Sequence, residues 1–305
     1  MNTKTVIYIA GATASGKSTL AVELALALDT CIISADSRQF YKGMEIGTAV
    51  LPESERKGVL HKFIQFLDPT QAYSAGNFEH AAISFTETWF QTHDTLILTG
   101  GSGLYARAYL YGFAPSPDVS PEIRKQVELD LKNKGLRSLQ DELKHKDPDL
   151  YITIDLNNPR RLTRAIEVIR QNGVPFSQIR KAEVAPRHFK VISIGLEWER
   201  DALYARINQR VLQMLENGLE AEVKALLDKG YTADLPALRA VGYPEMILYL
   251  QGAIPYAEMV EKIQQHTRNY AKRQMTWLRK EPHLHWMSPE SPEAVLEYIQ
   301  KAGSA

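Results

Sequence analysis

The chain has 305 residues, of which 44% are hydrophobic, and its 36 basic residues are balanced by 36 acidic ones. This length allows one large domain or two, with a buried core. Zero net charge argues against a uniformly basic nucleic-acid binder and leaves room only for local basic patches. The single cysteine, Cys31, excludes an intramolecular disulfide and a cysteine-based zinc site. Because neither an 18-residue apolar stretch nor a signal-peptide core is found, the sequence predicts a cytoplasmic protein that does not contact membranes.

A complete phosphate-loop motif, G-x-x-x-x-G-K-[ST], occupies residues 11–18. The apolar, β-branched run Thr5–Ala10 before it predicts a strand, and the Ala/Leu-rich run up to Leu28 after it predicts a helix. In this motif backbone N–H groups and a helix N-terminus surround an anion. Lys17 would reach a phosphate oxygen, and the Ser18 hydroxyl would bind Mg²⁺. The sequence therefore predicts a site for a di- or triphosphate.

Strand and helix patterns alternate through the first part of the chain. Apolar runs predict strands at Thr5–Ala10, Cys31–Ser34, Lys62–Leu67 and Thr95–Thr99. Periodic stretches predict helices at Lys17–Leu28, Phe78–Gln91 and Leu104–Leu110. Such alternation is typical of an α/β fold, here a P-loop NTPase-like parallel sheet flanked by helices.

The pattern changes after Pro115–Asp118, which predicts a linker. Residues 120–180 have only helical signals, including a helix start at Asn158–Pro159. A strand pattern returns at Phe189–Trp198, so the helical block is interpreted as an insertion. The predicted domains are an α/β core, residues 1–118 and 187–305, and a mostly helical insertion, residues 119–186. Later elements are predicted at Asp201–Asn217, Glu220–Lys229 and Tyr256–Lys280 as helices, and at His283–Met287 as a strand.

Two sequence features bear on the type of phosphate chemistry. The Thr95–Thr99 strand runs into a glycine-rich turn, Gly100–Gly103, and lacks the acidic residue that many P-loop hydrolases place there. This favours a transferase over an NTPase motor. Asp36 follows the second strand, at the sheet edge where ligands bind. Its carboxylate could contact a metal, act as a general base, or only stabilise a turn.

Taken in order, these motifs resemble those of the tRNA dimethylallyltransferases, over nearly the whole chain. The matching stretches are Gly11–Thr19, Ile33–Gln39, Tyr41–Ala49, Asp68–Pro69, Tyr73–Ala75, Gly100–Tyr105, Asn158–Arg164, Arg239–Tyr243 and Lys272–Arg279. The resemblance implies transfer of a dimethylallyl group from dimethylallyl diphosphate to the exocyclic amine of the adenosine adjacent to the tRNA anticodon. Diphosphate is the leaving group. The implied partners are the tRNA anticodon stem-loop and the donor, and the implied cofactor is Mg²⁺.

The resemblance also assigns residues. It makes Asp36 the general base, with Lys17 and Ser18 as the other catalytic residues and Ser18 as the metal-linked one. The donor site would comprise Gly11, Ala12, Thr13, Ala14, Ser15, Gly16, Lys17, Ser18, Thr19, Arg210 and Arg239. The tRNA site would comprise Asp36, Ser37, Arg38, Gln39, Ser102, Arg124, Arg160, Arg161, Leu162, Thr163, Arg164, Arg239, Gly242, Tyr243, Lys272, Arg273, Gln274, Trp277 and Arg279.

Several alternatives stay open at the level of sequence. Arg210 and Arg239 could each clamp the diphosphate or form a surface salt bridge. Trp277 could be helix core, and the arginines of residues 160–164 could be a solvated helix face. The competing functions are an adenylate isopentenyltransferase, a P-loop small-molecule kinase and an inert RNA-binding module. No heptad pattern is present, so a monomer is predicted.

Overall fold

The computed structural model describes residues 4–113, 117–181, 185–281, 283–289 and 291–304. The chain divides into two compact units, Met1–Leu110 with Arg187–Ala305, and Tyr111–Pro186. Pro115 and Ser116 of the predicted linker lie outside the described residues. In the part of the chain that the structure describes, no helix has both the length and the apolar character needed to cross a bilayer.

The first unit is built on one six-stranded parallel sheet. Its strands are β1 (Thr5–Gly11), β2 (Ile32–Ser34), β3 (His61–Lys62), β4 (Thr95–Thr99), β5 (Lys190–Leu196) and β6 (Leu284–Met287). Their order is β3-β2-β4-β1-β5-β6, and every pairing is parallel. This confirms the predicted α/β fold. The carboxyl ends of all six strands therefore meet at one edge of the sheet, which is where α/β proteins bind ligands.

Helices cover both faces of this sheet. They are α1 (Lys17–Ala27), α2 (Ala75–Trp89), α3 (Gly103–Tyr111), α8 (Arg200–Glu216), α9 (Leu219–Asp228), α10 (Tyr243–Leu250), α11 (Tyr256–Leu278) and α12 (Pro292–Ser304). Side chains of β1 alternate between the two cores: Val6 and Tyr8 pack on one side, and Ile7 and Ile9 on the other. A strand buried on both faces is apolar throughout, which explains the unbroken hydrophobic run in the sequence.

The third predicted strand is much shorter than expected. Only His61–Lys62 pairs with β2, although the sequence predicts a strand over Lys62–Leu67. Phe63 and Gln65 have positive φ angles of 62° and 49°, so the backbone leaves the extended conformation immediately after β3. The aromatic rings of this run instead pack in a cluster around Phe40. Tertiary packing of the aromatic side chains therefore replaces strand pairing.

The second unit is helical, as predicted for the insertion. It contains α4 (Pro121–Lys146), α5 (Pro148–Tyr151), α6 (Pro159–Asn172) and α7 (Phe176–Ile179). Asn158 caps α6 by accepting a hydrogen bond from the Arg161 amide at 3.2 Å, and Gly173 ends the helix with φ 70°. The apolar face of α6 forms the centre of a separate core.

Candidate active site

The phosphate loop leads from the carboxyl end of β1 into α1. Gly16 precedes the helix with φ 88°, a conformation that favours glycine. The Lys17 side chain is almost buried, at 8% exposure, and its Nζ donates a hydrogen bond to the Ala12 carbonyl at 3.1 Å. The strand, turn and helix therefore hold a buried cation beside the loop.

The glycine-rich turn after β4 lies directly against the segment that carries Asp36. The Ser102 amide donates to the Ala35 carbonyl at 3.1 Å, and the Ser37 amide donates to the Ser102 hydroxyl at 3.0 Å. Gly100 has φ 152° and approaches so closely that a Cβ would overlap the Ala35 carbonyl group. These hydrogen bonds and the close approach of Gly100 hold the two loops together and fix the position of Asp36.

Replacing Gly100 with Ala is expected to destabilise the protein, because both the φ angle and the Ala35 backbone exclude a side chain. The unfolding free energy is expected to fall by more than about 1–3 kcal/mol, the cost of a strained φ angle alone, because the overlap with the Ala35 carbonyl group adds to it. Urea unfolding would measure it. Gly58 has φ 78° and no neighbour within 4 Å, so it is the matched control. Gly58→Ala introduces the strained φ angle without any steric overlap. Equal losses for both variants would contradict the close-packing argument.

The two carboxylate oxygens of Asp36 have different surroundings. One carboxylate oxygen, Oδ1, accepts a hydrogen bond from the Arg38 amide at 3.1 Å and stabilises the turn. The other, Oδ2, faces Gly101, since a Cβ built there would lie 2.8 Å from it. Because the turn uses one oxygen, the second is held in a defined direction in the cleft.

A cavity of about 280 Å³ lies between these loops and the helices above them. It brings together half of the twelve residues predicted for donor binding and catalysis, including all three predicted catalytic residues. The predicted residues that line it are Thr13, Lys17, Ser18, Asp36, Arg38, Gln39, Arg210, Arg239, Arg273 and Gln274. The other predicted donor residues do not line this cavity; they are Gly11, Ala12, Ala14, Ser15, Gly16 and Thr19, of which Thr19 is exposed.

Helix α11 closes one side of the cavity through Gln274. Its side-chain oxygen accepts from the Thr13 amide at 2.8 Å, and its side-chain nitrogen donates to the Gly101 carbonyl at 2.8 Å. Gln274 is 7% exposed, so its amide joins the phosphate loop to the second glycine loop and has little surface left for RNA. The resemblance implied an RNA contact for this residue; the geometry indicates a positioning role.

Sequence reasoning missed Tyr270, which lies one helical turn before Gln274. Its hydroxyl donates to the Gly101 carbonyl at 3.2 Å, and it lines the same cavity. Burial, together with the nearby Asp36 carboxylate, raises the pKa of Tyr270, so this hydroxyl stays protonated and remains a donor. The i, i+4 spacing from Gln274 on a predicted helix was the available signal.

The cavity is basic. Lys17, Arg210 and Arg239 face it alongside the Asp36 carboxylate, and Arg210 donates to the Thr13 hydroxyl at 3.4 Å. Burial lowers the pKa of Lys17 to about 8; Asp36 opposes this shift and Arg210 adds to it. An excess of positive charge in a partly closed space fits a diphosphate. Both arginines left open by the sequence therefore reach the cleft.

The pKa of Lys17 predicts how diphosphate binding depends on pH. Below about pH 8 the Lys17 amine is already protonated in the unliganded protein. Above about pH 8 it is neutral, so it must take up a proton when diphosphate binds. The affinity of the wild type for inorganic diphosphate is compared with that of Lys17→Arg, because the ligand's own titration affects both proteins equally. The ratio of the two affinities is expected to be flat below about pH 8 and to fall by up to about tenfold per pH unit above it. Calorimetric titration would measure this.

Lys17→Arg is the matched control, since an arginine stays charged over the whole range. That variant should keep only the pH dependence that arises from the ligand's own titration. A fall that begins at the same pH in both proteins would show that another group causes it.

Two residues assigned to tRNA binding by resemblance have no exposed side chain. Leu162 is 0% exposed in the core of the helical unit, and Tyr243 is also 0% exposed. The Tyr243 hydroxyl donates to Glu222 at 2.7 Å, and Glu222 accepts from the amides of Ile46 and Gly47. The Leu162 and Tyr243 side chains are therefore not available for contact with RNA in this structure, and the assignment of the two residues to the tRNA site stays a prediction. Tyr243 instead supports the loop that includes Gly47.

The remaining predicted RNA residues are distributed over both units. In the helical unit Arg124, Arg160 and Arg161 are exposed, whereas Arg164 donates to the Pro117 carbonyl at 2.9 Å. In the first unit Lys272, Arg273 and Arg279 are exposed along α11. Trp277 packs against Gly103, so it is at least partly a core residue. Local basic surfaces therefore exist on a chain without net charge.

Comparison with known proteins bears directly on this site. A family model described as IPP transferase matches residues 39–281. A tRNA dimethylallyltransferase from Cytophaga hutchinsonii is 39% identical over 97% of each chain. One from Christiangramia forsetii is 41% identical over 96% of this chain and 97% of its own. The chain belongs to the IPP transferase family.

Solved structures agree with this membership. A full-length tRNA isopentenylpyrophosphate transferase from Bacillus halodurans superposes with a TM-score of 0.73 at 34% identity, covering 99% of this chain and 97% of its own. A eukaryotic dimethylallyltransferase acting on tRNA has a TM-score of 0.83 at 24% identity, covering 97% of this chain and 78% of its own, and supports the fold. The family predicted from the motifs is confirmed.

Proposed function

We propose that this protein transfers a dimethylallyl group from dimethylallyl diphosphate to the exocyclic amine of the adenosine adjacent to a tRNA anticodon. The observation that carries the proposal is a single cavity lined by a phosphate loop, a buried lysine and one directed carboxylate, Asp36. The family membership and the names of the relatives support the choice of donor and acceptor.

The donor's diphosphate would be held by the phosphate loop. In the reaction the bond between the allylic carbon and the diphosphate oxygen breaks, and the electron pair stays on diphosphate. Lys17, Arg210 and Arg239 line the cavity where that negative charge develops. Because these cations and the loop amides are already in place, they stabilise the departing charge without rearrangement.

Asp36 would act on the acceptor. The exocyclic nitrogen forms a bond to the allylic carbon and loses a proton, which the Asp36 carboxylate accepts. An aromatic amine is a weak nucleophile, so a base directed at its proton assists the reaction. The Arg38 amide holds Oδ1, which leaves Oδ2 as the oxygen available for this proton.

The residues present fit a role for Mg²⁺ in donor binding. Among the described residues, no group of three His, Cys, Asp or Glu side chains gathers into a metal site. The Ser18 hydroxyl and the Asp36 carboxylate do line the cavity, and Mg²⁺ is commonly held by one or two protein oxygens together with substrate phosphates. When bound with the diphosphate, it would supply charge neutralisation; Ser18 would be its protein ligand.

The acceptor adenosine must leave the stack of the anticodon loop to enter the cavity, at a cost of about a few kcal/mol. Contacts between exposed cations and the RNA backbone would offset this cost. Lys272, Arg273 and Arg279 in the first unit and Arg160 and Arg161 in the second are exposed and suited to this role. A monomeric state and a cytoplasmic location remain predictions from the sequence.

The test is incorporation of radiolabelled dimethylallyl diphosphate into unmodified anticodon stem-loop RNA, with AMP and ATP as parallel acceptors. Label in the RNA alone is expected. Label in a free nucleotide would assign the protein to the adenylate-modifying class. Absence of label in all acceptors, with ATP consumed when small hydroxyl acceptors are supplied, would instead support a kinase.

A further inference from the structure

A second cavity, of about 270 Å³, lies on the other side of the phosphate loop. It is bounded by Ala12 and Ser15 of that loop and by Leu196–Trp198, at the carboxyl end of β5. The sequence motifs do not account for it. Since β1 and β5 are neighbouring parallel strands whose following connections leave in opposite directions, this is a crevice at the carboxyl edge of the sheet. Such crevices are the usual ligand sites of open α/β sheets.

Helix α11 separates the two cavities. Tyr270 and Gln274 line the central cavity, whereas Ala271 and Met275 line the second. Residues one position apart on a helix point about a quarter-turn away from each other, so one helix supplies a wall to each space. The second cavity is therefore a distinct site that shares two walls, the phosphate loop and α11, with the first.

The interior of the second cavity is apolar and aromatic. Leu203 and Met275 contribute apolar surface, and the rings of Trp198 and Tyr204 also line it. The Trp198 indole donates to the Ser15 carbonyl at 3.0 Å, which fixes the ring against the phosphate loop. Ser15 is 1% exposed, and its hydroxyl has no hydrogen-bond partner among the described residues. A planar ligand with a polar edge suits this lining.

The rim is cationic. Arg200, Lys272 and Arg279 line the cavity, with Glu197 as the one acidic residue. Within the described ranges none of these three cations has an ion-pair partner; Arg200 lies 5.2 Å from the Tyr204 ring centroid. Unpaired cations around an aromatic pocket attract an anion attached to a planar group.

We infer that this second cavity binds a nucleotide, with the base beside Trp198 and Tyr204 and the phosphate on Arg200, Lys272 and Arg279. The nucleotide can come from two sources: a free nucleotide, or an unreacting nucleotide of the substrate RNA. The second source rests on the proposed function, whereas the site itself does not.

The test is calorimetric titration of the full-length protein with AMP while inorganic diphosphate is in excess, so that the phosphate loop is filled. AMP is expected to bind, and the double substitution Lys272→Ala with Arg279→Ala is expected to weaken binding at least about tenfold, as loss of charged phosphate contacts does. Lys280→Ala, which removes an exposed neighbouring cation that does not line the cavity, should leave AMP affinity unchanged.

Arg239→Ala reports on the central cavity and should also leave AMP binding unchanged. The inference is overturned if AMP does not bind, if Arg239→Ala weakens it, or if the double variant binds like the wild type. Thermal unfolding of the double variant would show that it is folded. If anticodon stem-loop RNA displaces AMP, the site is assigned to a nucleotide of the RNA. If AMP stays bound in the presence of the RNA, the site is assigned to a free nucleotide. Because the readout is binding, the result is independent of prenyl transfer.

Discussion

Asp36→Asn is expected to reduce prenyl transfer by about 10²- to 10⁴-fold, the contribution of a well-placed general base. The asparagine oxygen can still accept the hydrogen bond from the Arg38 amide that Asp36 Oδ1 accepts now, so the turn is kept. What is lost is the second carboxylate oxygen as a proton acceptor. Single-turnover transfer to the stem-loop RNA, at saturating donor and RNA, would measure the effect.

Measurements of diphosphate and RNA affinity show whether Asp36→Asn slows the transfer step itself or weakens substrate binding. Because the Asp36 charge raises the pKa of Lys17, its removal lowers that pKa further, and diphosphate affinity should therefore be compared near pH 6.5, where Lys17 is still protonated. Donor and RNA affinities are expected to stay within about threefold of the wild type at that pH. Asp36→Ala, which also removes the turn contact, is the comparison variant. Normal transfer by Asp36→Asn would exclude the base role.

Gln274→Ala is expected to lower kcat much more than it weakens RNA binding. The substitution removes the amide that joins the Thr13 amide to the Gly101 carbonyl, and it leaves the Thr13 donor without its partner. An unsatisfied buried polar group costs about 1–3 kcal/mol, and a shift of about 1 Å between reacting groups can cost about a hundredfold in rate. Steady-state kinetics and RNA binding by fluorescence anisotropy would separate the two effects.

An exposed cation at the end of the same helix provides the matched control. Arg279→Ala removes a cation that does not line the central cavity, so it should weaken RNA binding and its salt dependence while leaving kcat nearly unchanged. Gln274→Glu keeps an acceptor for the Thr13 amide and loses the donor to Gly101, and an intermediate kcat is expected for it. If Gln274→Ala weakened RNA binding as strongly as kcat, Gln274 would be an RNA-contact residue after all.

The sequence determined features that depend on local patterns. The phosphate loop, its strand and its helix follow from a contiguous motif, and the buried strands follow from apolar runs whose meaning does not depend on distant residues. The helical insertion was evident from its caps, such as Asn158. The family resemblance then assigned Asp36, and the cavity includes that residue together with Lys17.

Only the tertiary structure determines which side chains line the same cavity. Gln274 is 261 residues from Thr13 in sequence, and the contact between them arises because α11 packs across the phosphate loop. The same helix separates the two cavities, and other long-range contacts bury Tyr243 and replace part of the third strand with an aromatic cluster. Sequence periodicity reports whether a position is buried, but the partner that buries it is set by the long-range arrangement of the sheet and its helices.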